Sequence, residues 1–188
     1  MGKLLSEMTV DELWELFPII LSEHKEYWND WYVEEKKRIK AFLTIENTRF
    51  SHIGSTAIRG IWAKPIVDIL LEIPETVSME KVKTTLTNNG YICMSESTNR
   101  KSFNRGYTSE GFAEKVFHLH LRYRGDNNEL YFRDYLNENS DIAKEYEELK
   151  LSLWKKHEHN RDAYTDAKSE FVEKYTMVAK EEYSNCYA

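Results

Sequence analysis

The sequence predicts one α/β domain, α+β in its detail, with a sheet flanked by helices and a helical C-terminal segment. Three observations carry this. Residues 65–73, PIVDILLEI, are nearly continuous in apolar and β-branched side chains, as a strand buried on both faces requires. Residues 100–107 and 115–123 read as an antiparallel pair around the glycine-containing turn 108–111. Beyond Asp126-Asn127-Asn128 the apolar residues recur at helical spacing.

The elements follow in order. Thr9 with Glu12 forms a capping-box pattern opening a short helix that Pro18 ends, and 19–21 is a short extended piece. Residues 26–43 place Trp28, Trp31, Tyr32, Ile39, Phe42 and Leu43 on a helical stripe among lysines and glutamates. Residues 49–53 form a strand running into Gly54-Ser55. Residues 78–89 form an amphipathic helix stopped by Asn88-Asn89-Gly90, and 91–94 return as a strand. Three helices follow: one over 130–136, one marked by Ile142, Tyr146, Leu149 and Leu153, and one running from Tyr164 through Phe171 and Tyr175 to Val178. A bend at 157–161 separates the last two. No repeat or linker divides residues 1–188.

Composition narrows the function. Hydrophobic residues make up 41% and charged residues 31%, a globular balance. The net charge of -6, with acids and lysines interspersed, argues against a general nucleic-acid binder, which needs a basic footprint. It leaves room for a small anion in a local basic pocket. The two cysteines, Cys93 and Cys186, are far apart and suit neither a disulfide scaffold nor a thiolate metal site. With no signal-peptide pattern and no apolar run long enough for a membrane span, the expected location is the cytoplasm.

The order strand, Gly54-Ser55, helical turn, loop, then a strand bearing Asp68 suits phosphate chemistry. Gly54 lets backbone approach a ligand, and Ser55 offers a hydroxyl and an amide to a phosphate. Arg59 and Lys64 sit in the intervening loop and can meet further negative charge. A Gly-Ser pair alone is ordinarily just a turn. Asp68 is harder to set aside, because a carboxylate within so apolar a strand is costly without a cation, a metal or several donors. His118 and His120, at i and i+2 on a predicted strand, share one face and could complement it, or could simply be polar residues on an exposed face. Arg100, Lys101, Arg105, Arg122 and Arg124 flank the hairpin as a possible basic rim, with alternate ones free to point away. His157 and His159 read as surface residues, Arg133 and Asp134 as an ion pair, and Ser55 lacks the partners of a hydrolase nucleophile.

At the block from His52 to Leu70, HIGSTAIRGIWAKPIVDIL, the chain resembles the GrpB (UPF0157-type) family of the nucleotidyltransferase-like superfamily. Gly90-Tyr91, His118-Leu119-His120, Phe132 to Leu136, Tyr146 to Lys150 and Tyr164 to Lys168 extend the likeness over nearly the whole chain. The resemblance implies a mixed sheet with the Gly-Ser turn beside the acidic strand. Active members of the superfamily carry two acids at i and i+2 there; this chain has Leu70 in the second place. Glu72 shares the face, but at about 3.3 Å per residue it lies too far along the strand to share a metal with Asp68.

Two functions fit. One is a metal-assisted nucleotidyltransferase with Asp68, His118 and His120 as catalytic residues. Gly54, Ser55, Arg59, Lys64 and Arg105 would bind the substrate, and Asp68 and His120 a divalent Mg or Mn ion, although imidazole favours Zn, Mn or Ni over Mg. The other is a catalytically impaired module of the same fold that binds a nucleotide or another small phosphorylated ligand.

Overall fold

The computed structural model describes residues 3–184, 186 and 187. Helix α1 (Val10–Leu16) opens on the capping box: Thr9 Oγ1 accepts from the Glu12 amide, and the Glu12 carboxylate accepts from the Thr9 amide at 2.7 Å. An extended piece follows, bridging through Ser22 to Ala63. Then come α2 (Tyr27–Phe42), β1 (Arg49–Ile53), a 3-10 turn over Ser55–Ala57, β2 (Ile66–Ile73), α3 (Met79–Asn88), β3 (Ile92–Glu96), β4 (Arg100–Thr108) and β5 (Gly111–Tyr123). Four helices end the chain: α4 (Asn128–Glu138), α5 (Ser140–His157), α6 (Arg161–Asp166) and α7 (Ser169–Glu182).

The sheet is mixed, in the order β1-β2-β5-β4-β3, with β2 and β5 parallel and every other pair antiparallel. Strand alternation gives the two faces different work. Val67, Ile69, Leu71 and Ile73 of β2, with Phe103, Phe117, Leu119 and Leu121, bury one face under Trp28 and Ile39 of α2 and Met79, Val82 and Leu86 of α3. The other face carries Asp68, Leu70 and Glu72 of β2 with His118, His120 and Arg122 of β5, on the side of the C-terminal helices. Those helices hold a core of their own, which includes Tyr131, Phe132, Tyr146, Tyr175 and Ala179.

Two elements differ from expectation. Strand β5 begins at Gly111 rather than Lys115, leaving a turn of Ser109 and Glu110 only. The extra pairing places Phe112 against Phe17 and Tyr107, with ring centroids 5.0 and 5.2 Å away. The single helix expected from Tyr164 to Val178 is broken at Ala167-Lys168 into α6 and α7. The break lets Tyr164 pack with Ile19 and Leu21 while Tyr175 and Ala179 join the separate helical core.

A β-bulge between Arg105 and Tyr107 sets up the site. In β4, Arg100, Ser102 and Asn104 face the helical side, so strict alternation would send Tyr107 away from it. The bulge at Gly106 (φ +92°) returns the Tyr107 ring to that side. A Cβ at residue 106 would lie 2.4 Å from the Lys115 carbonyl oxygen. Gly106→Ala should therefore cost roughly 2–4 kcal/mol in urea denaturation, combining backbone strain with overpacking. An unchanged stability would show that the bulge relaxes freely.

Candidate functional site

Asp68 sits mid-strand on β2, between Ile53 of β1 and His118 of β5 in the ladder. Its Oδ1 accepts from His118 Nδ1 and from His120 Nε2, both at 3.3 Å. Burial alone would raise the carboxyl, but the hydrogen bonds donated by the two imidazoles outweigh it and hold the group well below the usual carboxylate range. The other oxygen, Oδ2, occupies the space beside Gly54. A Cβ at residue 54 would come within 2.3 Å of it, and the backbone there has φ +71°. Gly54 thus makes room for the Asp68 carboxylate while its backbone lines the cleft.

The chain of contacts continues through His118. With Nδ1 donating to Asp68, Nε2 accepts from the Tyr107 hydroxyl at 2.8 Å, and Tyr107 Oη accepts from Arg161 at 2.8 Å. Burial lowers the pKa of His118, which fits this neutral tautomer. The 3-10 turn is clamped to β2 from the other side. Thr56 Oγ1 donates to the Ile66 carbonyl and accepts from His52 Nε2, while the His52 ring stacks on Tyr32 of α2.

Over Asp68 opens a cleft of about 1540 Å³ whose lining includes Gly54, Ser55, Lys64, His118, Tyr107 and Arg161. Lys150 of α5 and Lys168 at the break between α6 and α7 also face it. Lys64 and Lys168 stand over the Tyr164 ring at 5.2 and 4.4 Å, and Lys150, 1% exposed, donates to the Trp62 carbonyl. Among the described residues none of Lys64, Lys150, Lys168 and Arg161 has a carboxylate within 4 Å. Burial first and mutual repulsion second lower Lys64 and Lys150 to about 7, and burial lowers Lys168 to about 8. The cleft lining also carries Glu129, Asp162 and Glu173, but none of them pairs with these four cations.

The residues do not form a preformed metal site. Among the described residues no group of three His, Cys, Asp or Glu side chains is arranged to hold a metal ion. Asp68 Oδ1 is shared by two imidazole donors. Leu70, in the place of a second acid, is fully buried against Ile53 and Leu130. Glu72 is held instead by Asn127 Nδ2 at 3.0 Å and by the Gly125 amide.

Comparison with known proteins places this arrangement. The family model described as GrpB protein matches residues 18–177. The chain belongs to the GrpB family. It is 35% identical to the glutamate-rich protein GrpB of Alkalihalophilus pseudofirmus, an alignment covering 82% of this chain and 92% of that protein. It is 32% identical to the UPF0157 protein YqkA of Bacillus subtilis, covering 84% of this chain and 46% of that longer protein. The crystal structure of GrpB from Enterococcus faecalis superposes with a TM-score of 0.76 at 28% identity, over 88% of this chain and 99% of that one. The fold is nucleotidyltransferase-like: the GLD-2/RNP-8 complex matches with a TM-score of 0.53 at 11% identity, covering 88% and 68% of the two chains. Cid1 poly(U) polymerase with Mg 3'-dATP bound matches at 0.51 and 7%, covering 84% and 51%.

In this GrpB chain Asp68, His118, His120, Gly54, Ser55 and Lys64 come together, although His120 reaches Asp68 from beside the cleft. Arg59 and Arg105 do not join them. Arg59 is exposed, its amide donating to Asn137 Oδ1. Arg105 lies on the opposite face, paired at 2.9 Å with buried Glu35. The expected basic rim likewise disperses. Lys101 is buried between Glu80 and Glu96 and Arg124 donates to the Asn47 carbonyl, while Arg100 lines the cleft but is paired with Asp126. Sequence reasoning missed Tyr107, Lys150, Arg161 and Lys168. The spacing Tyr146-Lys150, four residues apart on one helix face, was the available signal, but only the tertiary fold brings that face to the cleft.

The lysines set a pH dependence. Ordinary lysines, with a pKa near 10.5, bind protons in the unfolded chain across a window in which the folded cluster has released them. Folding of the free protein therefore gains from rising pH between about 7 and 10, and that gain is lost as pH falls from 10 back to 7. The urea midpoint should be higher at pH 9.5 than at pH 7, with a smaller difference in Lys168→Met. A difference that the substitution leaves untouched would contradict the lysine assignment.

Proposed function

We propose that the cleft binds a small molecule through its phosphate groups, in the cytoplasm, and that the domain acts as a binding module rather than a two-metal nucleotidyltransferase. The observation that carries this reading is the cluster of Lys64, Lys150, Lys168 and Arg161 around one cleft without carboxylate partners. A polyphosphate supplies the missing negative charge, and its arrival favours protonation of all three lysines. Ser55, at the start of the 3-10 turn, adds a hydroxyl on the same side.

The transferase reading needs a metal held by Asp68. The shared Oδ1 and the apolar Leu70 argue against it, since a hard cation takes several oxygen ligands in open geometry. What the chain's own residues do is hold Asp68 ionised, fix the His118 tautomer and position Tyr107 and Arg161 at the cleft wall.

Inorganic tripolyphosphate is the simplest probe. Calorimetry at pH 7.5 should show binding with proton uptake, read as a heat that changes with the ionisation enthalpy of the buffer. Binding should persist in EDTA and weaken at least tenfold in a Lys64→Met, Lys168→Met double variant, on the scale of two lost charge-assisted hydrogen bonds. Equal affinity in the double variant, or binding abolished by EDTA, would sink the proposal.

A further inference from the structure

The ladder sets a row of side chains across the floor of the cleft. Register partners run from Ile53 and Asp68 through His118 to Asn104 and then Ile92, one residue from each strand and all on the same face. With strands about 4.8 Å apart, Asn104 lies roughly 10 Å from Asp68 along this row. The row therefore changes character along its length, from an acid and an imidazole beside the lysines to an amide and an exposed apolar side chain at the far end.

Asn104 is the residue that neither the fold nor the phosphate reading explains. It is only 9% exposed and lines the cleft, yet among the described residues its carboxamide makes no hydrogen bond. Its polar atoms are not sealed in the interior either, since they are absent from the buried atoms left without partners. A carboxamide so placed retains a donor and an acceptor side by side for whatever enters the cleft.

The surroundings favour a flat apolar body. Ile92, beside Asn104 in the ladder, is 43% exposed. Helix α1 buries none of its own residues, and its Leu13 and Trp14 line the same cleft as Asn104 and Ile92. Phe17, just past its C-terminus, is buried against Tyr107 at 4.7 Å, three residues along β4 from Asn104. The helix is thus pinned at its C-terminal end on Tyr107, in the same strand as Asn104, with the Trp14 indole at the cleft wall available for stacking.

We infer that Asn104 and Trp14 form a second subsite, distinct from the lysine cluster, which takes a flat ring presenting a hydrogen-bond donor beside an acceptor on its edge, as a nucleobase does. Trp14 supplies the stacking face and Asn104 the paired hydrogen bonds to the ring edge. The inference rests on the phosphate reading for the orientation of the ligand: phosphates toward Lys64, Lys150 and Lys168, ring toward Ile92.

The test compares ATP with inorganic tripolyphosphate on the full chain, by calorimetry, in the wild type, Asn104→Ala and Trp14→Ala. Wild type should bind ATP more tightly than tripolyphosphate. Each substitution should weaken ATP about tenfold, the scale of one or two hydrogen bonds or one stacked ring, and leave tripolyphosphate within twofold. Trp14 lies on a helix that buries none of its residues, so its variant remains informative if Asn104→Ala fails to fold. ATP binding no tighter than tripolyphosphate, or ATP and tripolyphosphate weakened equally, would overturn the second subsite while leaving the phosphate site standing. Failure of tripolyphosphate to bind the wild type would overturn the phosphate reading instead. Adenosine binding that depends on Asn104 would still support the ring subsite in that case.

Discussion

A carboxylate that belongs to the interior of a sheet has to be met by donors, and the site of this GrpB chain is organised around meeting Asp68. Its two flanking residues, Val67 and Ile69, are fully buried in the principal core, so the strand is fixed and the carboxyl stays on the cleft face. Gly54 yields space to Oδ2 because a side chain at that position would collide with it. His118 and His120, two residues apart on the parallel neighbour, converge on Oδ1. Tyr107 and Arg161 then fix which nitrogen of His118 carries the proton. These partners come from the turn after β1, from β4, β5 and α6, and together they satisfy one half-buried charge.

The helical side of the molecule is the reverse case. Lys64, Lys150, Lys168 and Arg161 are cations brought together with no carboxylate within 4 Å among the described residues, three of them by the C-terminal helical segment that packs through its tyrosines. Tyr164 lies under both Lys64 and Lys168, and Tyr146 under Lys150. Aromatic faces offset part of the cost of desolvating an ammonium group but not its repulsion from its neighbours. Such a cluster is costly in a free protein and becomes favourable once an anion enters. With Leu70 packed against Ile53 and Leu130, the strand presents one acid already engaged by imidazoles, and the positive charge comes from side chains.

The parts of this design that were legible in the sequence are those that depend on local periodicity. The β-branched run around Asp68 marked the central strand, the Thr9–Glu12 pair marked the start of α1, and the Gly54-Ser55 turn marked the cleft edge. His118 and His120 were placed on one face by their spacing. Parity also carried information that a list of basic residues ignores: Asn104 and Arg105 are neighbours, yet one faces the cleft and the other pairs with Glu35 behind the sheet. Tyr107 escaped because a bulge reversed its parity, and nothing short of the ladder register reveals that. Lys150, Arg161 and Lys168 escaped for a different reason. They lie some eighty or more residues from Asp68 in the chain, on helices whose docking is decided by the tyrosine core. The helix break that places Lys168 at the cleft follows from two competing cores rather than from any breaker residue.

The central claim is that this cluster of lysines is held partly deprotonated near neutral pH until an anion completes it. The most direct measurement is an NMR titration of the lysine side chains, using the carbon next to each ammonium group, with Lys64→Met, Lys150→Met and Lys168→Met to assign the signals. In the free protein three lysines should titrate near pH 7 to 8, well below the rest, and saturating tripolyphosphate should move all three upward toward the ordinary range. Three ordinary titrations in the free protein, or depressed values that tripolyphosphate leaves in place, would contradict the account.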